Sequence, residues 1–73
     1  MKSKESIKSK FGTALKKAIK ARKTSLHKLA ADADMEYAHV QRIAAGKVNP
    51  ELTTIISLAE GLNMTPSQLF EFY

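Results

Sequence analysis

The sequence predicts an all-α domain of five short helices. Apolar residues recur at spacings of three and four along most of the chain, which is the period of a helix with one buried face. The two-residue alternation that marks a β-strand is missing almost everywhere. Caps, Gly and Pro interrupt the helical pattern at short intervals, so we expect short connections and one compact domain.

The first predicted helix covers residues 6 to about 22. We expect residues 1–5 to form a flexible basic tail and residues 6–73 to form the folded domain. Spacings of three and four place the apolar residues of this helix on one stripe: Ile7, Phe11, Ala14, Leu15, Ala18 and Ile19.

Two shorter helices are predicted in the middle of the chain. Thr24 and Ser25 supply an N-cap signal for the first of them, and Asp34 interrupts it. The second covers residues 36–45 and ends at Gly46, a residue type that often follows a helix C-terminus. The inward positions of the two helices are Leu26, Leu29, Ala30, Ala33, Val40, Ile43 and Ala44.

The remaining two helices follow a loop marked by Asn49 and Pro50. One is predicted over residues 51–61, and the other over residues 67 to about 72, opened by Thr65 or Pro66. Leu69 and Phe70 are expected to close the core. The apolar face of the longer helix is formed by Leu52, Ile55, Ile56, Ala59 and Leu62.

Composition argues against an enzyme, a metalloprotein or a membrane protein. The 73 residues contain no Cys, and the two His residues lie twelve positions apart, which is not a metal-ligand spacing on a helix. No apolar run approaches the roughly 20 residues of a membrane span. We therefore expect no catalytic residue, no metal, no cofactor and no membrane partner, and a cytoplasmic location.

Charge is divided unevenly between the two ends of the chain. Residues 1–24 hold nine Lys or Arg and one Glu, a net charge of +8, whereas residues 25–73 carry −3. Such an asymmetry indicates either a polyanionic partner or a solvated, Lys-rich helix face.

The middle pair of helices meets the demands of a helix-turn-helix unit. Ala30 is small enough for two helices to cross closely, Asp34 tolerates a left-handed turn, and Met35 supplies an apolar plug. Val40 and Ile43 anchor the second helix of the pair, so that its other side can enter a DNA groove.

These residues resemble the Cro and phage-repressor helix-turn-helix family, also called the xenobiotic-response-element type. The resemblance covers about residues 7–72 and implies a lambda-repressor-like fold that binds duplex DNA. The chain departs from the family pattern at the turn Gly, at a phosphate-contacting Gln and at a Glu of the second helix, where it has Asp34, Leu26 and Ala44. The matching positions are Ser25, Leu29-Ala30, Val40, Gly46, Asn49-Pro50, residues 52–62 and Leu69-Phe70.

The resemblance implies a transcriptional regulator, a repressor in our interpretation, that reads the major groove with residues 36–45. With Val40 and Ile43 inward, the expected base contacts are Glu36, Tyr37, Ala38, Gln41 and Arg42. Phosphate contacts are expected from residues at the start of the second helix and after the third: Ser25, His27, Lys28, Lys47 and Asn49.

Two alternatives concern protein partners. Phe72 and Tyr73 lack obvious cover, which predicts either a homodimer contact or a loose end. Small domains of this kind also serve as antitoxins, with a toxin as partner, or as protein-interaction adapters. The acidic second part of the chain and Glu36 on the DNA-facing side favour that alternative slightly.

Overall fold

The computed structural model describes residues 3–73 and confirms an all-α domain. Within that range the chain forms five helices and no strand. Their bounds are α1 Lys4–Ala21, α2 Leu26–Asp32, α3 Tyr37–Ala44, α4 Leu52–Gly61 and α5 Pro66–Phe70. None of the helices in this part of the chain is both long enough and apolar enough to span a bilayer.

Side-chain caps set the starts of α1 and α5. The Ser3 hydroxyl accepts a hydrogen bond from the Ser6 amide at 3.1 Å, so α1 begins two residues earlier than the sequence predicts. Residues 4 and 5 of the predicted tail are therefore helical, and residues 1 and 2 lie outside the described range. At α5, Thr65 and Gln68 form a capping box that starts the helix at Pro66.

Helices α1 to α4 all end in the same hydrogen-bonded reversal. One residue after the C-cap adopts a left-handed conformation, and the next amide donates to a carbonyl five residues back, as in a Schellman motif. The Met35 amide, for example, donates to the Ala30 carbonyl at 2.8 Å. The left-handed residues are Lys23, Asp34, Gly46 and Asn63, with φ of 55°, 55°, 76° and 57°.

The core lies where α1 crosses α3 and α5 and where α2 meets α3 and α4. Burying one large aliphatic side chain contributes roughly 1.5–3 kcal/mol, so a few such residues dominate the stability of a domain this small. Gly12 lets α1 approach α3, because a Cβ there would lie 2.5 Å from the Ala44 carbonyl oxygen. The largest fully buried side chains are Leu15, Leu29, Val40, Ile43, Leu58 and Leu69.

Three residues assigned to the core by their spacing lie at the surface instead. Leu52 is 72% exposed, Phe70 44% and Ile7 43%. All three lie at or near a helix end, where periodicity identifies the face of the helix but neighbouring elements leave much of the side chain uncovered. Phe72 shows the opposite error, because it is half-buried against the core although the sequence gives it no obvious cover.

Candidate nucleic-acid interface

Helices α2 and α3 form the predicted helix-turn-helix pair. Ala30 is buried where they cross, and Met35 packs against the core after the turn, as predicted. The left-handed Asp34 confirms the turn position. Val40 and Ile43 are fully buried, so the opposite side of α3 faces solvent.

The outward side of α3 carries most of the expected base contacts. Ala38, Gln41 and Arg42 are exposed. Glu36 is the N-cap residue of α3 and is also exposed, and its carboxylate makes no capping hydrogen bond. All four side chains are exposed, and together we call them the reading face.

Tyr37 does not share the exposure of the reading face. It is half-buried and packs against the core, and its ring stacks on the His27 ring with a centroid separation of 3.7 Å. The structure therefore brings a predicted base contact and a predicted phosphate contact together as one pair. Their separation of ten positions in the chain carries no signal of that contact.

The expected phosphate contacts fall into two groups, one before and one after α3 in the chain. Ser25 caps α2 by accepting from the Lys28 amide at 3.1 Å, and the Lys28 ammonium lies 3.5 Å from Asp32. Both members of that ion pair are solvent-exposed, so Asp32 offsets only part of the cation's attraction for a polyanion. In the second group, Lys47 and Asn49 are exposed in the segment between α3 and α4.

The basic first helix reaches the second of these groups. Lys4 and Lys8 line a small hollow together with Asn49. The Lys8 ammonium also lies 3.8 Å from the exposed Glu5 carboxylate. The amino-terminal half of α1 thus brings cations to the edge of the α3–α4 segment.

Sequence reasoning missed a set of polar α4 residues that line a groove beside the reading face. Thr53, Thr54 and Ser57 of α4 line an open groove of about 700 Å³ together with His39 and Arg42 of α3. Spacings of one and four positions place the three hydroxyl residues on one side of a helix. That spacing could have identified a polar face of α4, but not that the face borders Arg42.

Comparison with known proteins defines the class. The model of the Cro/C1-type helix-turn-helix DNA-binding domain matches residues 14–73. The chain therefore belongs to this family, which consists of DNA-binding regulators rather than enzymes. The predicted family, fold class and absence of enzymatic function are confirmed.

A solved structure gives a more particular likeness. The restriction-modification controller protein C.AhdI from Aeromonas hydrophila is 29% identical in sequence and superposes with a TM-score of 0.84. The match covers 89% of this chain and 98% of that one. A search of curated proteins gave no significant match.

Proposed function

We propose that this protein is a sequence-specific transcription regulator, and that it represses by occupying a promoter with its reading face in the major groove. The observation that carries the proposal is the exposure of Gln41 and Arg42 on a helix anchored by the fully buried Val40 and Ile43. The likeness to a restriction-modification controller protein supports a role in gene control. A cytoplasmic location accompanies this role.

The chemistry of the reading face suits base edges. The Arg42 guanidinium can donate two hydrogen bonds to guanine, and the Gln41 amide can pair with adenine. The Ala38 methyl group can contact a thymine methyl, and Glu36 can accept from a cytosine amino group. Each good bidentate contact discriminates by roughly 1–3 kcal/mol, so two of them suffice for a clear preference.

Contacts to the DNA backbone would set the orientation of α3 in the groove. Ser25, His27 and Lys28 lie on the α2 side, while Lys47 and Asn49 lie on the α4 side. Such contacts add affinity without reading sequence, and they weaken as salt concentration rises because releasing counterions from the DNA then yields less free energy.

The test is selection of a binding site from random duplex DNA, followed by affinity measurements on the selected site and a scrambled duplex. We expect a preference of at least ~10³-fold at physiological salt, lost in large part in Gln41→Ala and Arg42→Ala. Lys17→Ala is the matched control, since it removes one cation from the exposed side of α1. Equal affinity of the wild type for both duplexes would contradict the proposal.

We also propose that two copies bind together, with half-sites about one helical turn (roughly 34 Å) apart. An apolar hollow of about 200 Å³ is lined by Ile7, Phe70 and Tyr73, among others. Leu52, which is 72% exposed, lies one turn before Ile55 of the same hollow. Tyr73 of the predicted dimer contact is thus part of a larger apolar surface, whereas Phe72 packs inward.

Sedimentation equilibrium tests the dimer. We expect a concentration-dependent dimer that Leu52→Lys weakens, and no change for Lys17→Ala. A wild-type monomer at every concentration would refute dimerisation of the free protein.

The alternative is an antitoxin or a protein-interaction adapter, with a toxin or another protein as partner. The exposed Glu36 carboxylate at the start of α3 favours it, because a carboxylate repels DNA phosphate. Under this alternative, Glu36→Gln leaves DNA affinity negligible. Under the proposed function, it raises affinity for the scrambled duplex by removing the repulsion of phosphate, and it lowers the preference at the base pair that Glu36 contacts.

A further inference from the structure

The stacked rings of His27 and Tyr37 connect the start of α2 to the start of α3. Their centroids are 3.7 Å apart and their planes differ by 2°, so the two rings lie face to face. Tyr37 is half-buried and also packs against the core, whereas His27 is exposed. The histidine therefore covers one face of a tyrosine ring that the core holds in place.

This arrangement limits what Tyr37 can do on DNA. A ring that lies against the core and also stacks on His27 cannot lay its face on a thymine methyl without breaking the stack. The exposed His27 imidazole, in contrast, keeps its ring edge available, and an imidazole N–H is a hydrogen-bond donor suited to a phosphate oxygen.

We propose that Tyr37 is a positioning residue that acts on DNA through His27 rather than by reading a base. Tyr37 fixes the orientation of the His27 imidazole, so that the imidazole donates a hydrogen bond to a backbone phosphate. The same stack fixes the start of α3 relative to α2. Base reading then belongs to the reading face of Ala38, Gln41, Arg42 and Glu36. This inference rests on the proposed DNA-binding function.

The role predicts how substitutions of the two residues combine. Tyr37→Phe retains the stacked ring, so it should leave affinity and every base preference within about twofold. Tyr37→Leu removes the ring that orients the imidazole, and His27→Ala removes the donor itself. Each should therefore lose the same phosphate contact and weaken binding by about fivefold to tenfold, as expected for one hydrogen bond. Because Tyr37 acts through His27, the double variant should bind no more weakly than His27→Ala alone.

The experiment is a double-mutant cycle measured on the selected site and on each of its single-base-pair variants. We expect Tyr37→Leu and His27→Ala to weaken all duplexes by the same factor. His39→Ala is the matched control, because it removes the other histidine, and its effect should add to that of Tyr37→Leu. A changed preference at one base pair in Tyr37→Phe or Tyr37→Leu would overturn the role, as would additive effects of His27→Ala and Tyr37→Leu.

A second readout needs no DNA. In the free protein, the ring protons of His27 should show an upfield NMR shift from the Tyr37 ring current, retained in Tyr37→Phe and lost in Tyr37→Leu. Unshifted His27 protons in the wild type would contradict the stack, and with it the proposed role, even if the protein reads DNA. A wild type without sequence preference would instead overturn the proposed function, and the positioning role with it.

Discussion

The turns on either side of α3 share one backbone arrangement but differ in the room around it. In the α2–α3 turn Asp34 has φ 55°, and in the α3–α4 turn Gly46 has φ 76°. The amides that close the two reversals, those of Met35 and Lys47, donate at 2.8 and 3.0 Å. The turns before and after α3 are therefore closed by the same kind of hydrogen bond.

The difference lies in the space for a side chain. Asp34 is exposed and borders the open groove beside α4. A Cβ at position 46 would lie 2.8 Å from the Cα of Ser9 in α1. Backbone preference alone thus limits the residue at position 34, whereas backbone preference and packing against α1 together require glycine at position 46.

The comparison predicts its largest effect for Gly46→Ala. The substitution forces a left-handed alanine and a clash with backbone atoms of Ser9, so we expect a loss of about 2–4 kcal/mol of unfolding free energy. The melting temperature should fall on the order of 10–20 °C, measured by circular dichroism. A fall of only a degree or two would mean that α1 does not pack against this turn.

A second substitution tests how closely α1 packs against the end of α3. In Gly12→Ala the new Cβ would lie 2.5 Å from the carbonyl oxygen of Ala44 and 2.9 Å from that of Ile43. Alanine is the better helix former by about 1 kcal/mol, which offsets part of the clash. We expect a net loss of about 1–3 kcal/mol in denaturant unfolding, and a gain in stability would show that α1 and α3 lie further apart.

The smallest changes in stability are expected at left-handed residues whose side chains are not crowded by neighbouring atoms. Lys23→Gly should stabilise the domain by about 1 kcal/mol, since lysine tolerates positive φ poorly. Asp34→Gly should give between no change and about 1 kcal/mol, because Asp adopts this conformation more readily. Thermal unfolding of both variants checks whether Lys23→Gly gains more stability than Asp34→Gly. A clear loss of stability in Asp34→Gly would contradict the account of the α2–α3 turn.

The sequence predicts the order of the helices and the turn positions because local signals determine them. Ser25, Asp34 and Gly46 act within their own segments, and Val40 and Ile43 follow from helical spacing. The predicted bounds differ from the observed ones by one or two residues, since caps such as Ser3 compete with neighbouring residues for the helix end.

The missed features depend on contacts between distant segments. Three contacts join residues whose separation in the chain gives no periodic signal. They are the packing of Gly12 against α3, the groove between the polar residues of α4 and Arg42, and the stack of His27 on Tyr37. Leu52 is a case in which helical periodicity predicts burial and the structure shows exposure. Its position on an apolar stripe indicates a face of α4, but its exposure depends on which element lies opposite.

The measurement that tests the reading face most directly compares Arg42→Ala with Lys47→Ala on the selected site and all its single-base-pair variants. Arg42→Ala should abolish the preference at one base pair, at a cost of about 1–3 kcal/mol. Lys47→Ala should weaken binding to every duplex alike and reduce the salt slope by about one. If Arg42→Ala instead weakened all duplexes equally, Arg42 would contact phosphate and α3 would not read sequence through it.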